Sequence, residues 1–165
     1  MVLLFRIVRV ILRNLLHGRR NILDESVMRF RVWPTDMDLN FHLNDGRYVS
    51  LTGLARVELL LRSGVLRRGM KRGWYPVVGT TIIRYRREIK ALEKFAQRSR
   101  ILGWDEKWVY FEHRFEKKDG DLAAIAYARG VMRNREGAVP TRDVMALIGH
   151  SEPSPPLPDI VSKFS

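Results

Sequence analysis

Apolar and polar residues recur along this chain with two different periods, and each change of period marks an element. In SVMRFRVW, residues 26–33, apolar positions alternate with polar ones, the spacing of a half-buried strand. Pro34 lacks a ladder donor and predicts the strand's end. From Gly46 the period lengthens. GRYVSLTGLARVELLLRSG sets Tyr48, Val49, Leu51, Leu54, Ala55, Leu59 and Leu61 at helical spacing, with Gly64 as the stop. This helix is apolar around much of its girth, so burial is expected. Period two returns in the β-branched run of residues 74–89, in 95–104, in 108–117 and in 122–135. Residues 67–73 read as a basic linker, and Asp119-Gly120 reads as a hairpin turn. The alanines of LAAIAYARGVMRNR also suit a helix, but the hairpin before them and REG after them favour a strand. PTRDVMALIG predicts a short helix capped by Thr141. The proline-rich residues 151–165 are expected to be a loosely ordered tail.

One long apolar helix followed by four strands, with one strand before it, predicts an α+β domain. A five-stranded antiparallel sheet wraps the central helix, which hides the helix surface. The sheet keeps open edges, which a homodimer, or a tetramer built from two dimers, would cover. The expected division is an N-terminal amphipathic helix at 1–22, the main domain at 23–150 including the short C-terminal helix, and the tail at 151–165.

The N-terminal segment, MVLLFRIVRVILRNLLHGRR, admits two readings. As a helix it lines up Arg6, Arg9, Arg13, His17 and Arg20 on one stripe, opposite Leu3, Leu4, Ile7, Val8, Ile11, Leu12, Leu15 and Leu16. That is the pattern of a basic helix lying on a membrane surface. The other reading packs it on its own domain or on a second subunit. Arginines interrupt the apolar run too early for a spanning helix, and no small-residue cleavage site suggests a signal peptide.

Composition narrows the chemistry. The 165 residues suggest one domain with appendages, and the absence of cysteine excludes disulfides, thiolate metal sites and a cysteine nucleophile. The net charge of +12 is concentrated. Residues 1–20 carry Arg6, Arg9, Arg13, Arg19 and Arg20 with no acid, and residues 62–90 carry nine Lys or Arg against Glu88 alone. Such patches attract phosphates, nucleic acid or anionic lipid. No helix-turn-helix signature, RNP-type aromatic motif or zinc ligands accompany them, so a nucleic-acid partner is not expected.

The polar stretch WPTDMDLNFHLNDGRY, residues 33–48, carries the candidate chemistry. Asp36, Asp38, Asn40 and His42 at alternate positions echo a calcium loop. The required Gly and Glu are replaced by Phe41 and Arg47, so no metal is expected. The bland reading is a helix cap from Asn44 or Asp45, with Asp36 paired to an arginine. The functional reading uses the same geometry. Free amides at Asn44, Asp45 and Gly46 would polarise a carbonyl, and Asp38 just upstream would attack it or activate a water. Carboxylate and helix start suffice for a thioester, whose thiolate leaves readily.

RVWPTDMDLNFHLNDGRYVSLTGLAR resembles the hotdog-fold acyl-CoA thioesterases of the 4-hydroxybenzoyl-CoA thioesterase-like group. That group carries Asp-x-Asp, a Gly-His-x-Asn-Asn-like segment, a Tyr, and a helix bearing an acid or Arg. The resemblance covers about residues 27–148. Within the group it looks closest to the membrane-associated thioesterase superfamily members, through YPVVGTT and LGWDEKWVYFEHRF. It implies a hotdog fold and hydrolysis of an acyl-CoA to free acid and CoA, without a cofactor. It implies Asp38 as the catalytic carboxylate, with His42 and Asn44 beside it and Tyr48 at the family's helix tyrosine. Arg84, Arg86, Arg87 and Lys90, alternating on a strand, become candidates for the CoA nucleotide. Glu58 is a second candidate carboxylate at the substrate, although it can equally pair with Arg62. His113 reads as a core histidine. Phe41 replaces the family's Gly and Asp45 its second Asn. These departures motivate the alternative of a non-catalytic acyl-CoA-binding or membrane-associated hotdog protein. The expected location is cytoplasmic, with peripheral contact on the inner face of a membrane where residues 1–20 take the first reading.

Overall fold

The computed structural model describes residues 6–8, 10–12 and 18–164. The expectations for Leu3, Leu4, Arg9, Arg13, Leu15, Leu16 and His17 lie outside them. Five strands build one antiparallel sheet: β1 (Ser26–Arg31), β2 (Tyr75–Tyr85), β3 (Lys94–Trp104), β4 (Val109–Lys117) and β5 (Leu122–Arg133). Their order across the sheet is β1-β3-β4-β5-β2, so β1 and β2 are its edges. The long helix α1 (Asp45–Ser63) lies against one face, followed by α2 (Val65–Met70) and, after the sheet, α3 (Thr141–Leu147).

The side chains explain why β5 is a strand. Ala124 pairs with Phe115, Ala126 with His113 and Ala128 with Phe111, and all three alanines are fully buried. Small residues on this face let α1 approach closely, while Phe95 and Phe115 fill the space beside Tyr48, Leu51 and Ala55. A second apolar cluster joins Leu59, Leu60 and Val65 to Ile101, Phe111, Val144 and Met145, under the far end of α1. Asn44 caps α1, its Oδ1 accepting from Gly46 N at 3.0 Å. Gly64 ends it in the left-handed conformation, with φ of 86°.

Four expectations are corrected. The basic linker is largely helical, because α2 runs from Val65 to Met70. Pro140, not Thr141, holds the cap position of α3; the Thr141 hydroxyl instead donates to the Asp105 carbonyl. The N-terminal basic stripe does not simply face solvent. Arg6 points inward to Asp36, Val10 joins the core with Met28 and Leu51, and Val8, Ile11 and Leu12 are exposed. This follows because a buried carboxylate needs a cation more than a solvated arginine needs water.

The fourth correction concerns the tail, which is docked. It crosses β3 at a bulge, where Gly103 has φ of 155° and Ser154 Oγ accepts from Trp104 N at 2.8 Å. A 3-10 turn, Asp159–Phe164, then buries Phe164 beside Tyr110. A Cβ on Gly103 would stand 2.7 Å from Ser154 Oγ and 2.8 Å from a Leu157 methyl. Gly103→Ala is therefore expected to cost about 1–3 kcal/mol and to loosen residues 154–164. Denaturant unfolding and limited proteolysis of the C-terminal segment would measure both effects.

Candidate active site

The candidate site is the turn between β1 and α1. After β1 the chain makes a 3-10 turn, Pro34–Asp36, whose Asp36 side chain is fully buried. Its carboxylate takes Arg6 in a two-pronged ion pair, at 2.6 and 3.1 Å, and accepts from Trp33 N at 3.2 Å. Arg47 Nε lies 3.6 Å away, and the Asp36 carbonyl accepts from Asn44 N. Asp36 thus ties the first turn of α1 to the N-terminal segment.

Two residues on, Asp38 is only partly buried. Its Oδ1 accepts from Asn40 N at 2.9 Å and His42 N at 3.2 Å, which fixes the carboxylate at the mouth of the loop. The loop is clamped from the other side by residues 89–91. Leu43 N donates to the Ile89 carbonyl, Ala91 N donates to the Phe41 carbonyl, and His42 and Lys90 form an isolated bridge. Phe41 has φ of 60°, in the region that favours glycine. That is the position where the resembled family carries Gly.

The amides of the helix start are unequal. Asn44 N is taken by Asp36, and Gly46 N donates both to Asn44 Oδ1 and to the Asp45 carboxylate at 2.7 Å. Among the described residues, Asp45 N donates to no group. Tyr48 is buried in the first turn, edge-on to Tyr85 at 5.2 Å and to Phe115 at 4.9 Å. Burial pushes its hydroxyl's pKa up, with Tyr85 and then Glu93 and Glu88 adding to the shift. Burial and then the Asp45 charge also raise Tyr85, so the Asp45 carboxylate acts on the end of β2.

Asp38, His42, Asn44, Asp45, Gly46 and Tyr48 are therefore gathered in one loop and helix start. Glu58 is not near them. It sits about 20 Å further along α1 by the 1.5 Å rise per residue. It is buried there, 3.9 Å from Arg62, which donates to the carbonyls of Asp24 and Glu25. The expected alternation of the basic residues on one strand does not form. β2 ends at Tyr85, and the amides of Arg86 and Arg87 both turn to the Ala123 carbonyl. Arg84, Arg86 and Lys90 are exposed, and Arg87 pairs with Asp121. Among the described residues no group of His, Asp and Glu is arranged to hold a metal ion.

Two residues near the site carry no signal in the sequence. Glu88 is held below the ordinary carboxylate range by a backbone N–H first, then by the nearby His42, Lys90 and Lys117. Arg6, thirty positions before its partner, is the other.

Beneath α1 lies a buried polar string. Gln97 donates to the Leu51 carbonyl, and His113 Nδ1 lies 2.8 Å from Ser99 Oγ. His113 Nε2 and Arg56 Nη1 are buried without a hydrogen-bond partner. Burial, then the Arg56 charge, lower the His113 pKa to about 3. The folded chain thus keeps His113 neutral, while the unfolded chain protonates it below its ordinary pKa of about 6.5. Stability falls as pH falls between about 6.5 and 3, by up to about 1.4 kcal/mol per pH unit from this group. His113→Gln is expected to flatten that slope, as urea unfolding at pH 7 and pH 5 would show.

Residues 32–164 match the family model described as the Thioesterase-like superfamily. The chain belongs to this superfamily. It is 40% identical over 111 residues to Protein THEM6 of Danio rerio, covering 67% of this chain and 55% of that protein. With Protein THEM6 of Xenopus laevis it shares 32% over 143 residues, covering 86% and 68%. The match thus spans little more than half of the Danio protein. The fold is similar to the crystal structure of DHNA-CoA thioesterase from Staphylococcus aureus, with a TM-score of 0.65 at 14% identity, covering 72% of this chain and 82% of that one. The architecture is the hotdog fold: a five-stranded antiparallel sheet around one long helix.

Proposed function

We propose that this thioesterase-like chain hydrolyses acyl-CoA thioesters, with Asp38 as the nucleophile or general base. The observation that carries this reading is the carboxylate of Asp38, pinned through one oxygen by two loop amides beside a helix start whose Asp45 N is uncommitted. As general base, Asp38 takes a proton from water, the water oxygen bonds to the thioester carbon, and the developing oxyanion meets the helix start. Collapse breaks the C–S bond and releases the CoA thiolate, which regains a proton. The CoA thioesterase named among the structural neighbours supports the choice of substrate class. Arg84, Arg86 and Lys90 are the candidates for its phosphates, being exposed and cationic; Arg87 is already engaged by Asp121.

The chain acts as a homodimer in this reading, or as a tetramer of two such dimers. The long edge strand β2 exposes Tyr75, Val78 and Tyr85, a surface that a second copy would cover. No helix among the described residues is long and apolar enough to cross a membrane. Peripheral contact through residues 1–20 rests on the exposed Val8, Ile11 and Leu12. It is tested by co-sedimentation with anionic vesicles, with and without that segment.

A second reading, acyl-CoA binding without turnover, is favoured by one observation: the Asp45 carboxylate covers Gly46 N at the place where negative charge would develop. Asp45→Asn removes that charge and is expected to raise kcat several-fold. A panel of short, long and aromatic acyl-CoAs, followed by thiol release, decides between the readings. Turnover of any member supports hydrolysis, and binding throughout without thiol release supports the second reading.

A further inference from the structure

A cavity of about 380 Å³ runs beside α1, lined by Leu54, Val57, Val77, Val131 and Met145 among other apolar residues. Among the described residues, its one charged lining residue is Arg56. An arginine in such a wall is expected to find a carboxylate or carbonyls, because its fork carries five donors that cost much to leave unmade. Arg56 Nη1 is instead buried without a hydrogen-bond partner, and close by His113 Nε2 is in the same state. An unused donor on a charged side chain therefore belongs to the wall of an apolar chamber. Burial lowers the Arg56 pKa only to about 10, so the guanidinium stays charged at neutral pH.

We propose that this cavity receives an acyl chain carrying a carboxylate at its far end, and that Arg56 is the anchor for that carboxylate. The inference rests on the acyl-CoA reading above and narrows its substrate class to ω-carboxyacyl thioesters. Apolar walls take the methylenes, and the guanidinium takes the terminal anion through a charge-assisted bond. The helix also sets the length. Along α1 the cavity is lined from Ser50 to Leu60, and Arg56 lies about 16 Å from Asp45 by the 1.5 Å rise per residue, the span of a medium-length extended chain.

The test compares ω-carboxyacyl-CoA with unsubstituted acyl-CoA of equal length, across a series of lengths, using the full chain. Wild type is expected to favour the carboxylated substrate by tenfold or more in kcat/KM, with the ratio greatest where the extended chain matches about 16 Å. Arg56→Leu is expected to bring the ratio to one or below, and Arg56→Lys to restore part of it, since a point charge replaces the fork. Binding of the free dicarboxylic acids, against monocarboxylic acids of equal length, is measured by calorimetry in parallel. An Arg56-dependent dicarboxylate preference without thiol release upholds the anchor and overturns the hydrolase reading. Hydrolysis with no preference in wild type overturns the anchor and leaves the hydrolase reading standing. A change of oligomeric state in Arg56→Leu, with the preference absent, makes Arg56 a subunit contact and likewise overturns the anchor.

Discussion

Asp38→Asn is expected to lower kcat on the best acyl-CoA of the panel by about 10²–10⁴-fold, the range for removing a positioned general base, while leaving the fold intact. Asparagine keeps the oxygen that accepts from Asn40 N and His42 N, so the loop retains both hydrogen bonds. What is lost is the negative charge and the basicity. The stability change should stay within about 0.5 kcal/mol, as for a partly exposed position whose contacts are preserved. Acyl-CoA affinity should move only a few-fold, because the carboxylate acts on the reacting carbon rather than on the nucleotide. Full activity in this variant would remove Asp38 from the mechanism. Glu88, whose carboxylate interacts electrostatically with His42, would then be the candidate base.

The turn carrying Asp38 was legible because its determinants are local. Asn44 is a good cap, Gly64 is a good stop, and the apolar residues between them keep helical spacing. The strands were legible for the same reason, and the hairpin turn at Asp119-Gly120 fixed where β5 begins. Elements without a period were not. The tail contains prolines and serines whose value depends on Gly103, fifty positions away, leaving room for Ser154. Thr141 has the composition of a cap, but its hydroxyl finds the Asp105 carbonyl from another part of the chain. The basic run at 84–90 alternates in sequence, yet after Tyr85 the chain leaves the sheet and its amides turn to Ala123. In the candidate site, residue types pointed to one loop, and the fold gathers Asp38, His42 and Asn44 there. The direction of the Asp45 carboxylate, and the division of labour between Asp36 and Asp38, depended on contacts that spacing does not encode.

That division gives the second large effect. Asp36 is the buried member of the Asp-x-Asp pair, and its charge is matched by Arg6 in two contacts and by Arg47 at 3.6 Å. Asp36→Ala leaves Arg6, whose side chain is only 10% exposed, without its counter-ion and leaves Trp33 N without its acceptor. Breaking a buried pair from one side costs about 3–5 kcal/mol, a large share of a domain's stability. Urea unfolding should show that loss as a lower midpoint with little change in slope. Arg6→Met is expected to cost less, because its aliphatic replacement still packs over Phe30 and Arg47 remains near the carboxylate. The double variant separates pairing from packing: a coupling of about 1–3 kcal/mol assigns the loss to the ion pair, and simple additivity assigns it to local packing. Asp38 begins two residues beyond Asp36, so Arg6→Met should also lower kcat at temperatures where the variant remains folded. An unchanged kcat there would mean that the loop is held by Asn44 and residues 89–91 alone, and that the N-terminal segment only stabilises the fold.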